Sequence, residues 1–600
     1  MDQHGEAVLG KAYDARLVRR LWAYMRAYRS TFFRALGCMP LLLGFTLAQP
    51  YVLKVAIDRY VVQGLESGLA LMVVVYVAAL GGEAVAYYFQ YYYTMFLAQR
   101  ALADLRVDLF RHVHRLPMEY FDRNPIGRLV TRITTDVDVL NEMFAAGAMT
   151  VFMDLVTVAG IVTIMLAIDA HLAAVALLLL PVLAVAVNVF RILARRTYRV
   201  IRERIARINA YLQEAISGMT VIQLFAREER AFSEFAALNA AHREANHESN
   251  RYEAALFSLV EAVETASKAL ILWYASGAEL VTIGTILAFS EYVQKLFIPL
   301  RDFSSKYAVM QSAMAAAERV FALLDTPVAP GYAARRGTVP AVARGAIEFD
   351  RVWFAYRGED YVLRDVSFRV APGEKVGLVG MTGSGKTSIV KLLGRFYEVT
   401  RGRVLVDGMD VRDWDLEALR RHVGVVQQDV VLFSGSVADN IAFGQPGLSS
   451  VRVEEVAARV CADRVVSRLP LGWHAQVRER GNNFSAGERQ LIALARALAY
   501  EPTILVLDEA TSSVDPETES LIQQGLATLL RSRTGILIAH RLSTIESADR
   551  ILVLHKGELR EQGAHGELLA RDGIYARLWR LQYAPLSTSL APPAGTLGGG

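Results

Sequence analysis

The sequence predicts a chain of two fold classes, an all-α membrane domain of six spanning helices followed by a soluble α/β domain. Before about residue 310 the chain holds six apolar stretches, each long enough to cross a ~30 Å hydrocarbon layer as a helix of about 20 residues. Pro and Gly then gather at 326–345, hydrophobicity falls, and strand-like patterns begin. We therefore expect a membrane domain at 1–325, a linker at 326–345, an α/β domain at 346–584 and a disordered tail at 585–600.

The six apolar stretches also predict an orientation in the membrane. Arginines are concentrated after the second and the fourth stretch, whereas the connection 169–171 between the third and fourth has no Lys or Arg. Because cytoplasmic loops carry an excess of basic residues, we expect both Arg-rich loops, both termini and the soluble domain on the cytoplasmic side of the cell membrane. The stretches are 31–57, 69–97, 145–168, 172–190, 254–278 and 283–303.

The two Arg-rich loops each contain a segment that predicts a short helix placed crosswise at the loop tip. Pro117, Pro125 and Gly127 interrupt the helical pattern of the first loop, and the second loop has a short apolar face within 214–227. Such a helix could dock on another domain, and plain loop structure is the alternative. Before the first span, residues 15–29 are basic and amphipathic, which predicts a helix on the membrane surface.

Composition excludes several classes of partner and site. The chain has 600 residues, 53% of them hydrophobic, and its net charge of +4 gives no case for nucleic-acid binding. The two cysteines, Cys38 and Cys461, do not predict a disulfide framework or a metal site. Residues 1–30 lack the apolar core of a cleavable signal peptide.

The sequence GMTGSGKTS at 380–388 is the most specific motif in the chain. It follows a short strand pattern and precedes an apolar helix pattern, which is the setting of a phosphate-binding loop. Its glycines let backbone N–H groups face the phosphates of ATP, Lys386 reaches the β- and γ-phosphates, and Thr387 offers its hydroxyl to Mg²⁺. The predicted ATP-binding residues of this loop are Gly380, Thr382, Gly383, Ser384, Gly385, Lys386, Thr387 and Ser388.

A second predicted site segment is ILVLDE at 504–509. Four consecutive apolar residues suit a central parallel strand that is buried on both faces. Asp508 and Glu509 then emerge at its carboxyl end, where open α/β sheets bind ligands. One carboxylate can hold Mg²⁺, and the other can orient or deprotonate the attacking water.

Further motifs resemble those of the ATP-binding-cassette (ABC) transporters, exporter branch, over about residues 12–583. FSAGERQ at 484–490 resembles the signature segment of that family, and 513–515 resembles its D-loop, which includes Asp515. Gln428 resembles the glutamine of the Q-loop, His540 the switch histidine, and Tyr356 the aromatic residue that stacks on adenine. The two interrupted loops resemble the coupling loops of the family.

The resemblance implies that two such halves pair and enclose two ATP molecules between phosphate loop and partner signature. It implies that Glu509 is the catalytic base and that His540 contacts the γ-phosphate. The same resemblance assigns Mg²⁺ to Asp508, Thr387 and Gln428. On the signature side, Ser485, Ala486, Gly487 and Glu488, with Asp515, belong to the site of the partner's ATP.

The signature segment departs from the common Leu-Ser-Gly-Gly-Gln pattern at two positions. Ala486 adds a methyl group where backbone approaches phosphate, and Glu488 puts a carboxylate near an anionic ligand. The phosphate loop, Asp508, Glu509 and His540 are intact, and this mismatch resembles the heterodimeric exporters of the family, so we hypothesise a heterodimer with one degenerate ATP site. A homodimer that tolerates both substitutions is the alternative.

Charged residues inside the apolar stretches raise a separate hypothesis about cargo. Glu261, Glu264 and Lys268 share one face of the fifth stretch, and Glu83 and Asp154 lie in the second and third. They predict either a polar translocation cavity or structural ion pairs. Together the motifs predict ATP-driven export of hydrophobic or amphipathic compounds of the drug or lipid type. Peptide export, and an ATP-gated channel or sensor, are the alternatives.

Overall fold

The structure is a computed structural model that describes residues 14–146, 148–277, 281–333, 337–340, 343–443, 445, 447–508, 515–538, 546 and 548–583. These residues form two compact units. The first unit comprises the described residues up to His114 together with Ile126–Thr326, and the second comprises Arg115–Pro125 together with those from Pro327 onward. A loop of the membrane half therefore belongs to the second unit, which a linear division of the sequence does not reveal.

The described residues from 14 to 333, which include α4 and α13 of the second unit, are almost entirely helical. Several helices are much longer than a bilayer requires: one of 49 residues is about 70 Å long. The helices are α1 (Ala15–Met25), α2 (Arg29–Ala56), α3 (Glu66–Val113), α4 (Met118–Arg123), α5 (Ile126–Ile133), α6 (Thr135–Ala146), α7 (Ala148–Ile168), α8 (Ala170–Leu177), α9 (Leu180–Ser217), α10 (Met219–Leu224), α11 (Glu228–Ser276), α12 (Ile283–Leu324) and α13 (Pro330–Ala333).

Four helical segments are long and apolar enough to cross a membrane within the described residues: Arg29–Val61, Gly68–Val113, Ile126–Ile168 and Ala170–Phe190. They agree with the first four predicted stretches. The fifth and sixth stretches lie inside α11 and α12, which are not among these four segments. Those two spans remain a prediction from the sequence.

The packing of the first unit centres on α12. This helix contacts α2, α6, α7 and α11, and it places the large side chains of Phe289, Tyr292 and Phe297 in the core. Nearer its end, Arg319 forms a bidentate ion pair with Asp136 of α6, at 2.6 and 3.0 Å. The last helix of the unit is thus fixed both by apolar packing and by a directional charge pair.

Both predicted loop-tip helices are present. Helix α4 lies between Pro117 and Pro125, whose rings end the helical pattern on each side, and it belongs to the second unit. Helix α10 begins after Gly218 and leaves Leu224 and Phe225 exposed. The basic amphipathic segment near the start forms α1 as expected.

The second unit contains one mostly parallel six-stranded sheet and one antiparallel four-stranded sheet. Their strand orders are β12-β11-β3-β10-β9-β6, in which only β12 is antiparallel, and β2-β1-β4-β5. The strands are β1 (Ile347–Ala355), β2 (Tyr361–Val370), β3 (Lys375–Val379), β4 (Arg401–Val406), β5 (Met409–Asp410), β6 (Val423–Val426), β7 (Gly435–Ser436), β8 (Gln476–Val477), β9 (Ile504–Asp508), β10 (Thr534–Ile538), β11 (Arg550–His555) and β12 (Glu558–Gly563).

Helices cover both faces of the parallel sheet. They are α14 (Lys386–Leu393), α15 (Leu416–His422), α16 (Val437–Ile441), α17 (Ser450–Arg459), α18 (Asp463–Val466), α19 (Ala486–Ala499), α20 (Pro516–Leu530), α21 (His565–Ala570) and α22 (Ile574–Tyr583). Strand β9 shows why the sheet needs two layers, since Leu505 and Leu507 pack in one core and Ile504 and Val506 in the other. This confirms the predicted central strand buried on both faces.

Candidate nucleotide site

The phosphate-loop motif lies between β3 and α14, in the predicted strand–loop–helix order. Gly383 and Gly385 have φ angles of +81° and +103°, a region that side chains rarely adopt. A Cβ at Gly385 would also lie 2.5 Å from a methyl carbon of Leu363. Both glycines are therefore required by the turn that leads into the N-terminus of α14, where backbone N–H groups favour an anion.

Lys386 is the first residue of α14 and is only 8% exposed. Its Nζ donates to the carbonyl oxygens of Gly380 at 2.7 Å and Met381 at 3.1 Å, which leaves one N–H for a phosphate oxygen. Burial lowers the pKa of Lys386, and the charge of Asp508 partly opposes this change. A bound phosphate would supply a negative counter-charge next to this buried ammonium.

The hydroxyl of Ser384, also in this loop, fits the same ligand. It is buried and has no hydrogen-bond partner in the described part of the chain. A buried hydroxyl without a partner costs free energy, which a phosphate oxygen would recover. Thr382 and Thr387 are exposed at the mouth of the loop, and Ser388 is buried behind it.

One edge of the parallel sheet holds the three predicted Mg²⁺ ligands. Asp508 is the last residue of β9, Thr387 is in the first turn of α14, and Gln428 follows β6. Ile538 of β10 is paired with Leu378 of β3 on one side and with Asp508 of β9 on the other. Gln428 follows β6, the strand next to β9, and is exposed. Carboxyl ends of parallel strands converge, so this edge is where an open α/β sheet binds ligands.

These residues fit Mg²⁺ carried in with a nucleotide. Within the described residues, no three His, Cys, Asp or Glu side chains are grouped to hold a metal ion. Mg²⁺ keeps few protein ligands and takes substrate phosphates as the others. One hydroxyl and one carboxylate, with phosphate oxygens, match that requirement.

Several predicted residues lie outside the described part of the chain, namely Glu509, His540 and the first two residues of the D-loop at 513–514. Their roles therefore remain predictions. Asp515, which follows, caps α20 and accepts a 2.9 Å hydrogen bond from the N–H of Thr518. That bond lowers the pKa of Asp515.

Tyr356, the predicted adenine-stacking residue, follows β1 and leans on the phosphate-loop helix. Its hydroxyl lies 3.0 Å from the Oγ of Ser388, and the Nζ of Lys391 lies 5.2 Å from its ring centroid. Phe354 and Tyr397 meet the ring edge-on. Tyr356 thus contacts α14, the helix whose N-terminus is predicted to face the phosphates of ATP.

A contact that the sequence did not predict joins helix α4 to this aromatic cluster. The Asp122 carboxylate accepts hydrogen bonds from the Tyr397 hydroxyl at 2.6 Å and from Lys391 at 3.3 Å. Arg123 donates to the backbone oxygen of Tyr356 at 3.3 Å. Burial, and after it the hydrogen bond to Asp122, raises the pKa of Tyr397. The first interrupted loop therefore contacts the residues around the predicted adenine position.

The signature segment forms the N-terminus of α19, with Ser485 as the N-cap. The hydroxyl of Ser485 accepts from the N–H of Glu488 at 3.2 Å, and the carboxylate of Glu488 accepts from the N–H of Ser485 at 2.8 Å. This reciprocal capping box places a negative charge on the end of the helix that otherwise attracts anions. Ala486 is exposed beside it, and Gly487 is buried.

A cavity of about 720 Å³ lies in the same unit, beside α15 and α19. Apolar Leu416 and Phe433 contribute to its lining, with Gln427 immediately before the predicted Q-loop glutamine. Arg420 and Arg496 also line it, and burial lowers the pKa of each. The cavity offers both apolar surface and partly desolvated positive charge.

The charged residues of the membrane helices form ion pairs both along one helix and between helices, and the predicted translocation cavity stays a prediction. Glu264 and Lys268 form an ion pair of 2.8 Å along their own helix, whereas Glu261 is exposed one turn away. Charges on other helices pair across the bundle, since Asp154 accepts from Lys306 of α12 at 2.5 Å. Lys306 was missed at the sequence level because the predicted sixth stretch ended at residue 303.

Comparisons with known proteins agree with both halves of the chain. The family described as ABC transporter transmembrane region matches residues 37–300, and the family described as ABC transporter matches 363–512. A probable multidrug resistance ABC transporter ATP-binding/permease protein of Bacillus subtilis, YheH, is 37% identical, over 86% of this chain and 77% of its own. A fatty acid ABC transporter ATP-binding/permease protein of Mycobacterium bovis is 37% identical, over 86% and 81%. The structure of a bacterial Atm1-family ABC exporter with ATP bound has a TM-score of 0.76 at 28% identity, over 93% of this chain and 99% of its own.

Proposed function

Since this chain belongs to the ABC transporter family, as an exporter with fused membrane and ATPase regions, we propose that it moves hydrophobic or amphipathic compounds as half of a heterodimer. Members of this family couple ATP hydrolysis to transport and work as dimers in a lipid membrane. The proposal adds the cargo class, the unequal partner and the roles of individual residues. The multidrug and fatty acid activities named for two relatives are consistent with a hydrophobic or amphipathic cargo of the drug or lipid type.

The two ATP sites of the dimer are proposed to be unequal. In the site built on this chain's phosphate loop, Glu509 deprotonates the attacking water and His540 contacts the γ-phosphate. Thr387, Gln428 and Asp508 hold Mg²⁺ there, and Tyr356 stacks on adenine. Lys386 and the loop glycines bind the phosphates. This site is the hydrolytic one.

The other ATP site is completed by this chain's signature segment. The capping box formed by Ser485 and Glu488 is the main reason to expect weak ATP binding at that site. A carboxylate on the helix end opposes the γ-phosphate of the partner's ATP, where the common glutamine is neutral. The methyl group of Ala486 adds bulk where the phosphate must approach. The partner half is therefore expected to lack the catalytic glutamate, since its own ATP would rarely be hydrolysed.

Two contacts are proposed to carry the motion of the ATPase domains to the membrane. One is the set around Asp122 of α4, which meets Tyr397 and Lys391. The other is the cavity beside α15 and α19, which would receive the α10 tip of the partner half. The exposed Leu224 and Phe225 of that tip match its apolar lining.

The proposal is tested by producing the chain alone and together with a candidate partner half from the same genome. The expected result is weak ATPase activity alone, strong activity with the partner, and ATP-dependent uphill accumulation of a hydrophobic dye in sealed inside-out vesicles. Vesicles that carry Glu509→Gln serve as the control and should accumulate nothing. A chain that hydrolyses ATP strongly as a homodimer would remove the need for a partner half.

The alternative of an ATP-gated channel predicts a different result in the same vesicles. A channel equilibrates cargo and cannot concentrate it, because it leaves the gradient as the only driving force. Accumulation above the equilibrium level therefore separates the two functions. An intact Asp508 and Glu509 favour turnover over gating.

A further inference from the structure

Pro50, inside α2, creates an unusual acceptor in the middle of the first membrane span. Proline has no N–H, so the carbonyl oxygen of Thr46, four residues earlier, loses its helical hydrogen bond. The Nζ of Lys295 on α12 donates to that oxygen at 3.2 Å. The neighbouring carbonyl of Leu47 accepts from the Tyr292 hydroxyl at 2.7 Å. Helix α12 therefore contacts the proline-containing part of α2 with one neutral donor and one charged donor.

The charge on Lys295 exceeds what this structural task requires, because a hydroxyl such as that of Tyr292 satisfies a carbonyl equally well. A second donor of Lys295 goes to the side-chain oxygen of Gln49 at 2.9 Å. The amide nitrogen of Gln49 in turn donates to Glu83 on α3. The charges of Lys295 and Glu83 are thus linked through the amide of Gln49 and not by direct contact. Separated charges are energetically costly inside a membrane, so such residues often have a functional role.

The two ends of this network differ in what they leave open. Both carboxylate oxygens of Glu83 are occupied, one by Gln49 and the other at 2.8 Å from the hydroxyl of Thr46. Lys295 uses two of its three N–H donors, both on uncharged oxygens, and it is only half-buried. The network therefore has one unused hydrogen-bond donor, the third N–H of the Lys295 ammonium, which could bind an anion.

Lys295 is also distinct among the four described lysines of the first unit, Lys54, Lys268, Lys295 and Lys306. Lys54, Lys268 and Lys306 each have a carboxylate partner, at 3.1, 2.8 and 2.5 Å. No carboxylate of the described residues lies within ion-pair distance of Lys295, and Glu291, one turn earlier on the same helix, does not reach it. The direct counter-ion that the other three lysines have is absent here.

We propose that Lys295 is the anchor for the anionic headgroup of an amphiphile, with a carboxylate or phosphate oxygen accepting the third N–H. This rests on the proposed export of amphipathic compounds and deepens it, because it names the charge of the cargo. The hydrocarbon tail would lie along exposed apolar side chains of the same helix, such as Ile298, one turn after Lys295. A transported carboxylate and an anionic bilayer lipid share this chemistry.

The test measures binding of cis-parinaric acid, a fluorescent C18 carboxylate, to the purified dimer in nanodiscs of phosphatidylcholine. Lys295→Gln should weaken binding by about tenfold or more, the effect of losing a charge-assisted hydrogen bond, while Lys295→Arg stays within about threefold. Glu83→Gln removes the counter-charge and should tighten binding. Glu291→Gln, the matched control on the same helix, should change it less than about twofold.

Competition by two C16 probes identifies the headgroup as the recognised part. Palmitate should displace the fluorescent acid, and hexadecanol, with the same chain but no charge, should not. Replacing part of the phosphatidylcholine by phosphatidylglycerol assigns the source: displacement through Lys295 identifies a bilayer lipid, and no displacement identifies a free carboxylate. Equal binding by wild type and Lys295→Gln, or equal competition by the alcohol, would overturn the inference.

ATP-dependent accumulation of an uncharged dye separates this inference from the proposed function. If Lys295→Gln vesicles accumulate that dye normally, the variant is folded and the exporter works, so unchanged carboxylate binding would sink only the anionic site. If no vesicles accumulate any compound, the export proposal fails while Lys295-dependent binding of the acid still stands.

Discussion

The hydroxyl of Tyr397 donates a 2.6 Å hydrogen bond to the carboxylate of Asp122, two residues that are 275 positions apart in the chain. Tyr397 follows the phosphate-loop helix and meets the edge of Tyr356, whereas Asp122 belongs to the loop-tip helix α4. This bond connects the predicted adenine position with a segment that leads directly into the membrane helices. Its removal is the most direct test of coupling in this chain.

Tyr397→Phe should lower transport more than ATP hydrolysis. A hydrogen bond to a charged acceptor contributes about 1.5–3 kcal/mol, and its loss weakens the attachment of α4, which keeps the contacts of Asp122 with Lys391 and of Arg123 with Tyr356. The ratio of dye transported to ATP hydrolysed is expected to fall by at least about threefold. Tyr361→Phe, a matched removal of a hydroxyl from β2, should leave the ratio unchanged. An unaltered ratio in Tyr397→Phe would show that this bond has no part in coupling.

Glu488→Gln should strengthen the ATP site that this signature completes. Glutamine can still accept the N–H of Ser485 through its side-chain oxygen, so the capping box and the helix remain. The lost repulsion of one unit charge at about 4 Å is near 1 kcal/mol in a solvated site, or about fivefold in affinity. Nucleotide binding to the dimer measures it, with the exposed Glu479→Gln as control. Weaker binding after the change would contradict the proposed degeneracy.

Glu509→Gln should allow ATP to close the dimer while blocking turnover. General-base catalysis contributes about 10²–10⁴-fold, so phosphate release should fall by at least about a hundredfold. Trapped ATP, measured by filter binding of a labelled nucleotide, should persist in the variant after dilution. Hydrolysis at the wild-type rate would show that another group activates the water.

Asp136 and Asp138, both on α6, offer a matched pair for measuring stability. Asp136 is buried and holds Arg319 in a bidentate pair, while Asp138 is exposed and pairs with Arg106. Asp136→Asn should destabilise the first unit by about 2 kcal/mol, because it replaces a buried carboxylate that accepts two charge-assisted hydrogen bonds from Arg319. Asp138→Asn should cost less than about 1 kcal/mol. Thermal unfolding in detergent compares the two variants. Equal losses of stability would mean that the burial of Asp136 contributes nothing.

Local patterns accounted for the phosphate loop and its neighbours. The positive φ angles of Gly383 and Gly385 are a property of three or four consecutive residues, and the run 504–507 alone predicts a strand buried on two faces. The family motifs located Tyr356 and the signature in the same way. The assignment of Glu261, Glu264 and Lys268 to a substrate cavity stays a prediction, because helical spacing predicts which residues share a face and not which partner that face meets.

The sequence by itself determined the two fold classes, the first four membrane stretches, the short loop-tip helices and the elements of the nucleotide site. Only the tertiary structure decided that Asp122 meets Tyr397, that Lys306 pairs with Asp154, and that Lys295 reaches the carbonyl freed by Pro50. The physical reason is the separation along the chain of the residues that interact. Backbone conformation follows from neighbouring side chains, whereas a charge finds its partner only after distant helices have packed and excluded water from the space between them.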